Sequence, residues 1–275
     1  MRRARPTALL LSLCVAAPGA LAQDAVPEEA DDDGALAPVV VRGSRAGADR
    51  WQSPASMDVV NADDLKAGRP QISLSESLAR VPGLVVRDRQ NFAQDAQLSV
   101  RGFGSRASFG VRGLKLYVDG IPASAPDGQG QTSHFPLSAA ERIELVRGPF
   151  AALYGASSGG VLMLTTEDGR WPGEWRAGFT AGSDGLWRLS AQALGRTAPP
   201  DQLGWSYALS ASGFSTDGAR PQSAAAQGTA NLKLTRQSGA DRLVLLFNHH
   251  ALRADDPLGL SRAEFDTHPR QTTTN

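Results

Sequence analysis

The stretches LSVRGFGSRASFGVRGLKLYVDGIP, residues 98–122, and ERIELVRGPFAALYGASSGGVLMLTT, residues 141–166, decide how the rest of the chain is read. Their apolar runs, 114–118, 143–146 and 161–164, are of strand length and are separated by glycines and charged, turn-forming residues. Runs this short between turn signals are buried strands rather than helices. The pattern predicts an α+β unit, a small mixed sheet with one-turn helices.

Working outward to the N-terminal side, Met57 to Val60 reads as extended and Asn61 as the N-cap of a short helix. Asp63 and Asp64 suit its positive end, and Gly68 is placed to follow its last turn. Ser73-Leu74-Ser75-Glu76 has the spacing of a capping box, and Pro82-Gly83 must stop the helix it opens before a strand at Leu84. Ser138 to Glu141 repeats that spacing ahead of the alternating Ile143 to Val146. Pro149 and Gly155 bracket one more helical turn before the strand Val161 to Thr165.

Beyond Thr166 the period changes to two. Trp175, Ala177 and Phe179 alternate with small or polar residues, as do Trp187 to Ala193, Trp205 to Ala211, Ala230 to Leu234 and Leu243 to Phe247. Each run lasts roughly ten residues, with tryptophans near the ends, which is the pattern of transmembrane β-hairpins. A soluble antiparallel sheet with one wet face would alternate in the same way.

At the N-terminus, Arg2, Arg3 and Arg5 precede an apolar run from Ala8 to Ala17 and a small-x-small site at Ala20-Leu21-Ala22. Residues 1–22 therefore read as a cleaved signal peptide, whose apolar run is too short to span a bilayer, which takes about 20 residues. A lipoprotein signal at Cys14 fits less well, because Leu13 stands where a small residue is wanted. Cys14 is the only cysteine, so the exported chain offers no disulfide, zinc–thiolate site or thiol nucleophile. Residues 23–37 are acidic, small and without aromatics, a flexible tail by composition. Pro38-Val39-Val40-Val41 is then an isolated β-branched run. It is either the first strand of the following unit or a segment offered to a partner's sheet edge.

Lys plus Arg and Asp plus Glu both number 28, so no net field favours nucleic acid. Gly102-Phe103-Gly104-Ser105-Arg106-Ala107 satisfies the G-x-G-x-x-A dinucleotide fingerprint, but two more glycines follow where a helix should open. Arg101 to Gly104 echoes an RNA-binding signature without its following aromatics. No catalytic set and no metal-ligand spacing appears around His134, His249, His250 and His268. His249 and His250 would face opposite sides of one strand. Residues 125–135, with Asp127, Gln129, Gln131 and His134, form a polar, glycine-loosened loop. It reads either as solvated surface or as a set of donors and acceptors for an oxygen-rich solute.

LSESLARVPGLVV, LSVRGFG, LKLYVDGIP, ERIELVRGP and ALYGASSGGVLMLTT, in this order, resemble the plug domain of TonB-dependent outer-membrane receptors, over roughly residues 37–166. The resemblance implies a TonB box at 38–45, with Pro38 to Val41 paired to the periplasmic TonB protein, a plug at 46–167, and the first strands of a β-barrel at 168–275. It implies export to the outer membrane of a Gram-negative cell and uptake of a scarce solute, without enzymatic chemistry or a resident cofactor. The solute would be an iron chelate or a small cofactor such as a quinone. Arg106, Asp127, Gln129, Gln131 and His134 become candidate ligand contacts. Buried charge needs a partner, so Arg101, Glu144 and Arg147 become candidate plug–barrel contacts. Plugged transporters have about 22 strands and this chain holds five such runs, ending on polar Gln-Thr-Thr-Thr-Asn275, which leads us to expect an N-terminal fragment. The competing readings are a soluble periplasmic binding or signalling module and an exported nucleotide-using enzyme.

Overall fold

The computed structural model describes residues 56–272, apart from 89–90, 108–109, 149–153, 156, 201 and 240. The signal peptide, the acidic tail, Pro38 to Val41 and the helical turn at Pro149 therefore lie outside the described residues.

Each short apolar run becomes a strand. In chain order these are β1 (Ser56–Asn61), β2 (Leu84–Arg87), β3 (Gln97–Val100), β4 (Leu114–Val118), β5 (Ile121–Pro122), β6 (Ala140–Arg147) and β7 (Gly160–Thr166). Two short helices, α1 (Ala62–Lys66) and α2 (Ser75–Leu78), intervene. Five strands form a mixed sheet in the order β1-β6-β7-β4-β5, with β4 and β7 parallel and the other pairs antiparallel, and β2 and β3 form a separate hairpin. Strand periodicity gives the sheet two faces. Ile143, Leu145, Leu162, Leu164, Leu114 and Leu116 share the main core with Leu65, Leu78 and Leu98. Met57, Val146, Val161 and Tyr154 pack on the other face. Both faces are covered, which is why these strands read as continuous apolar runs.

Helix α2 begins later than the Ser73 box predicts. Glu76 turns its carboxylate back over the preceding chain and accepts from the backbone N–H groups of Gln71, Ile72 and Ser73 at 2.6, 3.0 and 2.8 Å. The incoming segment is thereby fixed as a non-helical turn, and the helix starts at Ser75.

The C-terminal region forms a second sheet of β8 (Glu174–Ala181), β9 (Trp187–Arg196), β10 (Trp205–Thr216), β11 (Ala225–Ser238) and β12 (Asp241–Ala254). Its strands pair antiparallel with their neighbours in sequence, and the sheet is open. Its polarity is inside out. Trp175 and Phe179 are 74% and 70% exposed, and Trp187, Leu189, Leu209, Leu243, Leu245 and Phe247 also point outward. On the opposite face Arg188, Gln192, Ser206, Ser210, Asn231, Lys233 and Thr235 are buried. A soluble sheet would turn its apolar face to the core. This one turns polar residues to the mixed-sheet unit and apolar ones away, as the wall of a lipid-embedded barrel does. A short helix, α3 (Arg262–Thr267), follows β12.

The glycines of the fingerprint have a structural reason. Gly104 sits at φ +85°, and a Cβ there would stand 2.7 Å from the carbonyl oxygens of both Leu98 and Arg112. After it the described chain runs through turns to β4, with no helix N-terminus to meet a pyrophosphate. Gly120 has nearly the same φ, +83°, but open space where its Cβ would go. The pair separates strain from collision. Gly120→Ala should cost about 1–2 kcal/mol for the left-handed conformation alone, and Gly104→Ala clearly more. Urea unfolding followed by near-ultraviolet circular dichroism checks this, and equal costs would show that the Gly104 contact is not limiting.

Candidate functional site

Two buried acidic centres hold the mixed-sheet unit against the inner face of the long strands. The first is Glu167, just past β7 and 2% exposed. Its carboxylate receives Lys66 of α1 at 2.9 Å, Arg176 of β8 at 2.8 and 3.0 Å, Arg170 at 3.1 Å, and Gln192 of β9. Burial alone would push the Glu167 carboxyl up, but the hydrogen bonds from Arg176, Lys66 and Gln192 outweigh it and hold the group below its ordinary value. The second is Asp119, in the turn between β4 and β5, whose side chain accepts from Thr166 N and Oγ1 at 2.9 and 2.6 Å. Lys233 of β11 reaches it at 3.3 Å and also meets the Thr166 carbonyl and Asp168, each at 3.0 Å. Both Asp119 and Lys233 are 4% exposed at the side chain. Charges this deep are tolerated because each has partners.

A cavity of about 900 Å³ lies at the end of the sheet remote from these centres. Its inner side is the β2–β3 connection, through Asp88, Asn91, Phe92 and Gln94. Its outer side comes from the connections after β8, β10 and β12, including Asp184, Arg220, Leu258, Arg262 and Phe265. Phe92 packs on Phe214 of β10 with ring centroids 5.0 Å apart, so one aromatic pair seats this connection on the wall. A mouth carrying amides, aromatic rings and both signs of charge suits a polar solute with apolar parts.

The residues singled out from the sequence do not line this cavity. Gln129 accepts from Arg112 at 3.3 Å, and Asp127 accepts from the Gln129 backbone N–H at 3.0 Å, closing its own turn. Val111 and Gly130 bridge, which brings the loop holding Arg106 beside the loop holding Asp127, Gln129 and Gln131. His134 lies apart from them. Its ring stacks edge-on with Phe135, and burial, with His250 nearby, lowers its pKa. Gln227 links this region to the wall, donating to the Ser133 carbonyl at 3.2 Å and meeting His250 Nδ1 at 3.3 Å. His250 turns inward and His249 outward, as alternation requires.

Among the described residues, the three charged candidates make contacts within the mixed-sheet unit. Arg147 is held inside the mixed-sheet unit by Asp58, Ser56 and the Pro82 carbonyl, and Glu144 pairs with Arg142 at 2.9 Å. Arg101 is exposed, with its backbone N–H bonded to the Gly83 carbonyl at 2.8 Å. Glu144 alternates with core residues of β6 and so lies in the unit's second packed face, and Arg147 closes the β1 edge. The contacts with the described strands of the wall centre on Lys66, Glu167, Asp119 and Lys233. Sequence reading missed these because each is a single charge, Lys66, Asp119 and Glu167 at the end of an element and Lys233 within a strand, with no partner nearby in sequence. The Asn91 to Gln94 segment was missed because it resembles any polar hairpin turn.

The depressed pKa of Glu167 sets a pH dependence. Its stabilisation is present above the ordinary value of 4.5 and is lost as pH falls below that through the folded-state pKa. Glu167→Gln should flatten this acid limb. It should cost on the order of 1–3 kcal/mol at neutral pH, because Lys66 and Arg176 then face an uncharged group. Thermal unfolding midpoints between pH 3 and 7, compared for the two proteins, check both expectations.

Comparison with known proteins agrees with this arrangement. Residues 49–161 match the TonB-dependent Receptor Plug Domain family. The chain is 36% identical over 157 residues to the vitamin B12 transporter BtuB of Photobacterium profundum, covering 54% of this chain and 24% of that protein. It is 29% identical over 147 residues to the ferrienterobactin receptor of Escherichia coli, covering 47% and 19%. The matched region thus spans about a quarter or less of these relatives. Among solved structures, the unliganded ferric citrate transporter FecA superposes with a TM-score of 0.64 at 24% identity, covering 87% of this chain and 37% of that one. The ferric yersiniabactin uptake receptor FyuA of Yersinia pestis gives 0.61 at 21% identity, covering 80% and 35%. With residues 49–161 matching the plug domain family and seated against polar faces of barrel-type strands, the chain carries a TonB-dependent receptor plug domain and is similar over its length to the N-terminal parts of such receptors.

Proposed function

We propose that this chain acts in TonB-dependent uptake of a scarce solute across the outer membrane of a Gram-negative cell. The solute enters from the outside into the cavity between the β2–β3 connection and the outer loops. Further along its path it meets plug loops outside that cavity through Arg106, Asp127, Gln129, Gln131 and His134. On the periplasmic side, Pro38 to Val41 add as a strand to TonB, where main-chain hydrogen bonds supply the grip, and force from the inner membrane displaces part of the plug. Residues 1–22 direct export. No bond of the solute is made or broken.

The observation that carries this reading is the inverted polarity of the second sheet, with polar residues buried against the plug and tryptophans turned outward. It favours the transporter over a soluble periplasmic module, in which those aromatic residues would stand in water. The relatives named above are a vitamin B12 transporter and a ferrienterobactin receptor, which supports a scarce, chelated solute.

The test is uptake of radiolabelled cyanocobalamin, ferric citrate and ferric enterobactin by cells carrying the receptor, with and without residues 38–41. Accumulation of one solute should fall to the level of cells lacking the receptor when 38–41 are removed, while binding to the cell surface persists. Uptake that survives the deletion, or that continues after the inner membrane is de-energised, contradicts the reading.

A further inference from the structure

We propose that residues 255–272 form a strap which the plug itself holds over the outer side of the cavity, with Asp256 as its catch. The purpose given to the strap rests on the uptake reading, whereas its geometry stands independently.

Both carboxylate oxygens of Asp256 are taken by side chains of one plug loop. Asn91 Nδ2 donates to Oδ1 at 2.7 Å and Gln94 Nε2 donates to Oδ2 at 2.9 Å, across more than 160 positions of sequence. The Leu258 backbone N–H adds a bond to Oδ1 at 2.9 Å, which turns the chain sharply after the catch. The rest of the strap is tied elsewhere. Arg220, in the connection between β10 and β11, donates to the carbonyls of Pro257, Leu258 and Gln271 at 3.0, 2.9 and 2.7 Å, so one guanidinium gathers both ends. Within the strap, Ser261 and Glu264 form a reciprocal capping box on α3, and Gln271 donates to the Glu264 carbonyl at 2.9 Å. It is a stiff loop with two attachments of different kinds.

That difference gives the strap its behaviour. The Arg220 tie joins one wall loop to another and has no part in the plug. The Asp256 tie joins the strap to Asn91 and Gln94, which also line the cavity beside Phe92. Any solute that draws these amides into the cavity, and any displacement of the 88–96 loop, takes donors away from Asp256. Charge-assisted hydrogen bonds from neutral amides are strong enough to hold a loop and can be exchanged for similar bonds at modest cost. The strap is therefore shut by the resting plug and freed by a moving one, which couples cavity occupancy to access from outside.

Trypsin reads this directly. Arg262 and Arg270 sit in the strap with side chains 86% and 77% exposed, and cleavage after either requires the strap to open locally. In the full chain in detergent micelles, without added solute, Asn91→Ala with Gln94→Ala should speed both cuts about tenfold, the equivalent of about 1.4 kcal/mol. Asp256→Ala alone should give the same rate, and the triple variant no more, because all three remove one tie. Cleavage after Arg242, at the other end of β12, should not change. Should the alanine variants also speed the Arg242 cut, Asp256→Asn, which keeps the side chain's size, decides by its effect at Arg262 and Arg270 alone. Unchanged strap cleavage in Asp256→Ala, or effects that simply add, overturns the strap. No solute takes part, so that outcome leaves the uptake reading standing, and a failed uptake assay leaves the strap standing.

Discussion

The structure depends on the requirement that charge buried between the plug and the wall be neutralised there. Glu167 meets it at the point where the plug ends and the first barrel-type strand begins. Its two oxygens gather Lys66 from the plug's first helix, Arg176 from β8 and Gln192 from β9. A carboxylate at 2% exposure would be costly alone, and each of the cations would be costly without it. None of these elements can shift without exposing an unpaired charge. The plug is thereby seated on the wall by electrostatics, because the wall's inner face offers little apolar surface to pack against.

The same constraint explains the inside-out wall. A strand with lipid on one side and a folded domain on the other must put most of its apolar residues outward, and then meets the plug mainly through polar residues. Arg188, Gln192 and Lys233 do so here, and the plug answers with loops and helix ends such as Gln71, Asp119 and the Leu137–Ala139 turn. A polar junction holds through directional bonds, which can be broken and remade one at a time. A junction packed like a protein core would cling over its whole area. Uptake by plug displacement needs the former kind.

Much of the fold was legible because local rules and tertiary packing agree. The runs at 114–118 and 161–164 became the central strands β4 and β7, since leucine and valine on both faces leave no other burial. The alternation from Trp175 to Phe247 became five strands in the expected order. Whether that alternation meant lipid or water outside was not legible, because the period is two in either case and only the position of the plug settles which face is inner. The site was harder still. The loop at 125–135 was legible as a polar surface, but not the contacts that shape it, in which Asp127 caps its own turn and Gln129 holds Arg112. Asn91 and Gln94 line the cavity, and two amides in a hairpin connection carry no local signal of that. Long-range pairs such as Lys233 with Asp119, 114 positions apart, leave no trace in local sequence.

The most direct test of this account is a double-mutant cycle at Asp119 and Lys233, with Asp119→Asn, Lys233→Met and the combined variant compared by urea unfolding in detergent micelles. If buried charge pairing seats the plug, each single change leaves a buried charge with one ionic partner fewer and the double variant recovers much of the loss. The account then predicts a coupling of more than about 1 kcal/mol. Effects that add to within about 0.5 kcal/mol would mean the pair does not hold plug and wall together, and would contradict the account.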